Sequence, residues 1–76
     1  MSGEVPIIDM TATGERIKQL REDKGLTIKE LQDTFGFTNP QAIYKWQKGV
    51  NIPTVDNLVI LSSILGVPMD EIIVTA

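Results

Sequence analysis

Neither cysteine nor histidine occurs anywhere in this sequence. Their absence excludes a disulfide framework, the usual zinc sites, and nucleophilic chemistry built on a Cys or a His base. Long apolar runs are missing too. The longest, around Val59-Ile60-Leu61 and at Ile72-Ile73-Val74, fall far short of the ~20 residues a membrane-spanning helix needs. The start of the chain carries neither the basic flank nor the long apolar stretch of a secretion signal, so a cytoplasmic protein is expected. Basic residues are scarce, seven against ten acidic, for a net charge of −3. An acid surplus argues against strong binding to nucleic acid, where affinity rests largely on Lys and Arg at phosphates.

What is present points to one small folded domain. The chain has 76 residues, 42% of them hydrophobic and 22% charged, a balance typical of globular chains rather than disordered ones. At this size the core is small, and nearly every apolar side chain must contribute to it. The charges are unevenly spread. Residues 34–55 contain Lys45 and Lys48 and no acid, while residues 56–76 contain Asp56, Asp70 and Glu71 and no base. The acidity therefore sits toward the two ends, and the middle is locally positive.

Caps and apolar periodicity predict an all-α fold. Residues 1–12 read as an N-terminal arm or edge segment, because Val5 to Met10 is short, β-branched and interrupted by Pro6. Residues 13–76 read as the domain. Thr13 is expected to open a first helix, with Ile17, Leu20 and Arg21 on one face and Gly25 as its stop. Thr27 and Glu30 have capping-box spacing, and the helix they start runs through Leu31 to a left-handed cap at Gly36. Thr38 or Asn39 then caps a third helix with Pro40 in its first turn. Ile43 and Trp46 share its inner face, leaving Gln41, Tyr44, Lys45 and Lys48 outward, and Gly49 ends it. Thr54 caps a fourth helix with Leu58, Val59, Leu61, Ile64 and Leu65 as its apolar set. Gly66 closes that helix, and Pro68 starts a last short turn through Ile72.

Over about residues 12 to 74 the chain resembles the lambda-repressor and Cro-like helix-turn-helix family, of the xenobiotic-response-element type. The residues that carry the resemblance are Arg16-Ile17, Leu20-Arg21, Lys24-Gly25-Leu26-Thr27, Leu31, Phe35-Gly36-Phe37-Thr38, Ile43, Trp46, Gly49, Pro53, Leu58, Leu65-Gly66-Val67 and Ile72. The resemblance implies a five-helix DNA-binding domain in which helix three, about residues 39–48, enters the major groove of double-stranded DNA. Carried over position by position, the base-reading residues are Asn39, Gln41, Tyr44 and Lys45. Thr27 matches a position that commonly contacts phosphate, and Thr38, Lys48 and Asn51 are the other phosphate-contact candidates. The implied function is a repressor-like transcription regulator, with a homodimer on paired half-sites. No cofactor, metal or small-molecule ligand is implied.

The sequence departs from the family's pattern at four places. The turn between helices two and three carries one extra residue, around Asn39-Pro40. Gln32 follows Leu31 where a small Ala is usual, and Ile28 stands where a polar phosphate contact is frequent. Gln47 follows Trp46 where the family often has Glu; it is expected to hydrogen-bond Arg21 without charge. The acidic balance and the altered helix-two surface favour an alternative function, a protein-interaction module on the same scaffold, antitoxin-like or an anti-repressor partner. The acid-free recognition segment and its amide side chains oppose it, and DNA binding is the leading expectation. An enzyme is not expected, since no nucleophile–base pair or Gly-rich phosphate loop is present, and Glu15, Glu22 and Asp23 read as a solvated face. Ile7-Ile8 and Ile72-Ile73-Val74 are expected to lie together, as a short strand pair that leaves apolar surface for dimerisation.

Overall fold

Asp9 starts the first helix. Its Oδ1 accepts a hydrogen bond from the Ala12 amide at 2.9 Å, so α1 runs Met10–Asp23. The computed structural model describes residues 5–76, and residues 1–4 of the expected arm lie outside the described residues. After α1 come α2 (Ile28–Phe35), α3 (Gln41–Lys48), α4 (Val55–Leu65) and a 3-10 turn at Met69–Glu71. The class is all-α, as expected. The fifth helix is not: only one 3-10 turn forms, because the chain beyond it becomes extended and pairs with the N-terminal segment.

Thr13 has a different task from the helix start expected of it. It is wholly buried, with its hydroxyl donating to the Val74 carbonyl at 3.3 Å and accepting from the Val74 amide at 2.9 Å. A threonine hydroxyl can bond its own helix end or a distant backbone, and local spacing does not distinguish the two. The tail is held further by an antiparallel bridge between Ile8 and Thr75. Asp9 N donates to Val74 O and Ala76 N to Ile7 O, each at 2.8 Å. Arg16 Nε adds a bond to the Glu71 carbonyl at 2.7 Å. The expected meeting of Ile7-Ile8 with the C-terminal apolar segment is therefore observed. Ile72 is fully buried there, whereas Ile7 stays largely exposed.

The core draws on every helix: Ile17 from α1, Leu31 from α2, Ile43 and Trp46 from α3, Leu58, Leu61 and Leu65 from α4, and Ile72 after the turn. Val59, expected in the α4 set, is half exposed. Residues 58, 61 and 65 take the inward stripe, and a helical step of ~100° per residue carries position 59 off it.

α1 packs most extensively against α3. Gly14 sits buried at their crossing, where a Cβ would meet the Trp46 carbonyl oxygen and lie 2.7 Å from that of Gln47. In an open helix, Gly→Ala gains up to ~1 kcal/mol from propensity. At Gly14 the sign should reverse. Gly14→Ala is expected to lose about 2–3 kcal/mol through overpacking, measured by urea unfolding with an unchanged denaturant slope. A stabilised Gly14→Ala protein would show that the two helices have room to separate.

Candidate nucleic-acid interface

α2 begins with the reciprocal cap expected from its sequence. The Thr27 hydroxyl accepts from the Glu30 amide at 3.0 Å, and Glu30 Oε1 accepts from the Thr27 amide at 2.9 Å. Hydrogen bonds from the Thr27 backbone, and then from its side chain, hold the Glu30 carboxyl below the usual carboxylate range. Leu31 faces inward, and Ile28 packs against the core, which accounts for an apolar residue at that position.

Gly36 ends α2 in the left-handed region, φ 71°. The next residue is held from both sides by Gln32: Phe37 N donates to the Gln32 carbonyl at 3.0 Å, and Gln32 Nε2 donates to the Phe37 carbonyl at 3.3 Å. The Gln32 side-chain amide thus secures the turn. Phe35 and Phe37 stack with centroids 5.2 Å apart, and both meet the ring of Trp46 edge-on, at 5.4 and 5.9 Å. Trp46 is a core residue, as expected.

The turn that leads to α3 is completed before the helix begins. Asn39 Oδ1 accepts from the Gln41 amide at 3.0 Å, keeping residues 39 and 40 outside the helix. Pro40 occupies the cap position, and its carbonyl accepts from Tyr44 N at 3.1 Å. α3 therefore starts at Gln41, later than the Asn39 expected, with Pro40 before its first turn rather than in it. Gly49 ends it at φ 73°, and a Cβ there would lie 2.9 Å from the Met10 carbonyl oxygen. That residue must be glycine for two reasons at once, backbone conformation and space.

All eight residues proposed from the sequence for contact are exposed: Thr27, Thr38, Asn39, Gln41, Tyr44, Lys45, Lys48 and Asn51. Gln41, Tyr44, Lys45 and Lys48 fall at i, i+3, i+4 and i+7, which is one face of a helix. Ile43 and Trp46 occupy the opposite, buried face. Asn39, Gln41, Lys45 and Asn51 come together along a shallow groove that also takes in Thr54 and Asn57 at the start of α4. Tyr44 and Lys48 lie on the same stripe outside that groove, while Thr27 and Thr38 stand at the start of α2 and in the turn. Beside α3, Arg21 Nε donates to Gln47 Oε1 at 3.0 Å, the expected pairing, and Arg21 Nη1 donates to the Leu26 carbonyl at 2.7 Å.

A helix-turn-helix family model matches residues 17–72, which include α2, the turn and α3 entire. The chain belongs to the helix-turn-helix family. It is similar to the HTH-type transcriptional activator BcrR of Enterococcus faecalis, 32% identical over 59 residues, 78% of this chain and 28% of BcrR. The chain thus spans little more than a quarter of that relative. Among solved structures it is similar to the restriction-modification controller protein C.AhdI from Aeromonas hydrophila, with a TM-score of 0.73 and 23% identity over 84% of this chain and 96% of that one. It is also similar to the DNA-binding domain of BldD from S. venezulae, with a TM-score of 0.70 and 20% identity over 86% and 96% of the two chains. At these identities the likeness to the solved structures is one of fold. The domain has the helix-turn-helix fold found in DNA-binding transcription regulators.

Two polar groove residues of this helix-turn-helix domain, Thr54 and Asn57, escaped the sequence reading as site residues. Thr54 was expected only to cap α4; it holds the cap position, but its hydroxyl bonds the Asp56 carboxylate rather than a backbone amide. That bond holds the Asp56 carboxyl below its ordinary range. Among the described residues no group of side chains is placed to hold a metal ion, and no helix is long and apolar enough to cross a membrane.

The capping box gives the unit an acid limit. Because the folded Glu30 pKa lies below its ordinary 4.5, the ionised carboxylate favours the folded state. Its contribution is fully present above the unfolded pKa and is lost as pH falls through the folded one. Unfolding followed from pH 7 down to pH ~3 should show stability declining below about pH 4.5, and Glu30→Ala should lessen that decline. An identical decline in Glu30→Ala would place the acid sensitivity elsewhere.

Proposed function

We propose that this domain binds double-stranded DNA sequence-specifically as a transcription regulator, with α3 in the major groove. The observation that carries the proposal is the exposed stripe Gln41, Tyr44, Lys45 and Lys48 on a helix whose other face is locked into the core. A helix about 10–12 Å across fits a major groove about 12 Å wide, and side chains on its outer face reach base edges.

In this proposal Gln41 and Asn39 read adenine through their amides, and Lys45 donates to guanine. Asn39 Oδ1 already accepts the Gln41 amide, but a second lone pair and both Nδ2 donors stay available. Tyr44 offers its ring and hydroxyl beside them. Thr27, Thr38, Lys48 and Asn51 meet phosphates and set the register; at Thr27 the start of α2 adds its own positive end. The acid-free stretch from residue 34 to 55 lets phosphates approach despite the net charge of −3. Two copies on one palindrome supply the affinity that a single acidic domain lacks, since the second binds at high effective concentration. The apolar surface left at Val5 and Ile7 is where the second copy is placed. Regulation is taken to be repressor-like, by occupation of the site.

Selection of bound duplexes from a random pool at low salt should enrich a palindromic motif. Gln41→Ala should degrade that motif. Lys45→Ala should change base preference, while Lys48→Ala should weaken all duplexes alike and reduce the salt slope by about one unit. A reporter promoter overlapping the motif should fall on expression of the protein; a rise would reverse the regulatory sign. Enrichment without a palindrome would remove the dimer. No enrichment, and no binding even at low ionic strength, would remove DNA binding and favour a protein-interaction module.

A further inference from the structure

We infer that Gln47 sets the charge of the DNA-facing side, by fixing the Arg21 guanidinium without neutralising it. The inference rests on the DNA-binding proposal above and goes beyond it, since neither residue is assigned a contact with DNA.

Arg21 projects from α1 into the joint between the other two helices. Only 12% of its side chain is exposed. Its two close partners, Gln47 Oε1 at 3.0 Å and the Leu26 carbonyl at 2.7 Å, are both neutral. Each partner leads directly to a proposed phosphate position, for Leu26 precedes Thr27 and Gln47 precedes Lys48. The charge is therefore fixed between the start of α2 and the end of α3. The acid nearest to it is Glu22, 3.8 Å from Nη2, on a side chain that is 49% exposed and so largely screened by solvent.

This placement matters in a chain with seven basic residues. Lys29 is paired with Asp33 at 3.0 Å, and Arg16 is turned toward the Glu71 carbonyl. A partly buried charge is screened by salt less than a surface lysine is, so its field reaches an approaching phosphate more fully. A carboxylate at position 47 would accept the same guanidinium donor and bond it more strongly. It would also cancel the charge. The neutral amide keeps the joint's geometry and leaves its field intact, so Arg21 acts as a positioning and electrostatic residue through Gln47.

The test uses the full chain and two variants, Gln47→Glu and Gln47→Met, titrated with the selected duplex and a random-sequence duplex over a salt series. Gln47→Glu should keep its helical circular dichroism and unfold at the same or a higher temperature. It should nevertheless bind both duplexes roughly twofold to tenfold more weakly at low salt, with a salt slope shallower by about half a unit to one unit. Gln47→Met, which removes the hydrogen bond and adds no charge, should unfold earlier yet keep the wild-type slope. Wild-type affinity and slope in Gln47→Glu would overturn the inference. So would equal weakening in both variants, which would make position 47 a matter of shape. If the wild-type chain binds neither duplex at low ionic strength, the DNA-binding proposal itself fails and the inference falls with it. Binding by wild type with an unaffected Gln47→Glu removes the inference alone.

Discussion

α1 and α3 touch backbone to backbone, and the presentation of α3 depends on that contact. At Gly14 the carbonyls of Trp46 and Gln47 occupy the space a side chain would need, and at Gly49 the backbone of Met10 and Thr11 does the same. The last turn of α3 and its exit are thereby seated on α1. Its inner face is seated by Ile43 and Trp46 in the core, with the stacked Phe35 and Phe37 closing over the Trp46 ring. What remains is a stripe of polar side chains with nowhere to turn but outward. In the proposed complex the rigidity of that stripe matters, because side chains that are to reach base edges work best from an element already held in place.

The charge pattern follows the same division of labour. Acids gather on α1, α2 and the C-terminal end, where Lys29–Asp33 and the Glu30 cap use them locally. The segment from residue 34 to 55 carries two lysines and no acid. Net charge describes the whole molecule, whereas a phosphate meets one face of it. A domain that is acidic overall can accordingly offer a locally positive side, and with so few cations their placement counts for more than their number.

Much of this fold was legible in the sequence because its signals are local. The Thr27–Glu30 box, the glycines at 36 and 49, and the Ile43–Trp46 spacing each act within a turn or two of themselves, and each is where the pattern put it. The exposed face of α3 followed from the same period of 3.6 residues. Readings that failed depended on distant parts of the chain. Thr13 is drawn from a capping role by Val74, sixty-one residues on. The fifth helix shrinks to one 3-10 turn because Thr75 pairs with Ile8. Gly14 carries no side chain to signal anything until α3 is laid across it. The start of α3 moved because Asn39 bonds the Gln41 amide in a turn that leaves Pro40 at the cap position, where a Thr38 or Asn39 cap was expected. In the groove, Thr54 and Asn57 were missed because they join it only once α4 is folded against α3.

The most direct test of the central claim is a titration of the isotope-labelled domain with double-stranded DNA, followed amide by amide in proton–nitrogen spectra. The account predicts shifts concentrated at Thr27, from Thr38 through Lys48, and at Asn51, with the outer face of α1 around Glu15 and Lys18 unmoved. Shifts confined to the Ile7–Val74 end, or none at any residue at low salt, would contradict it.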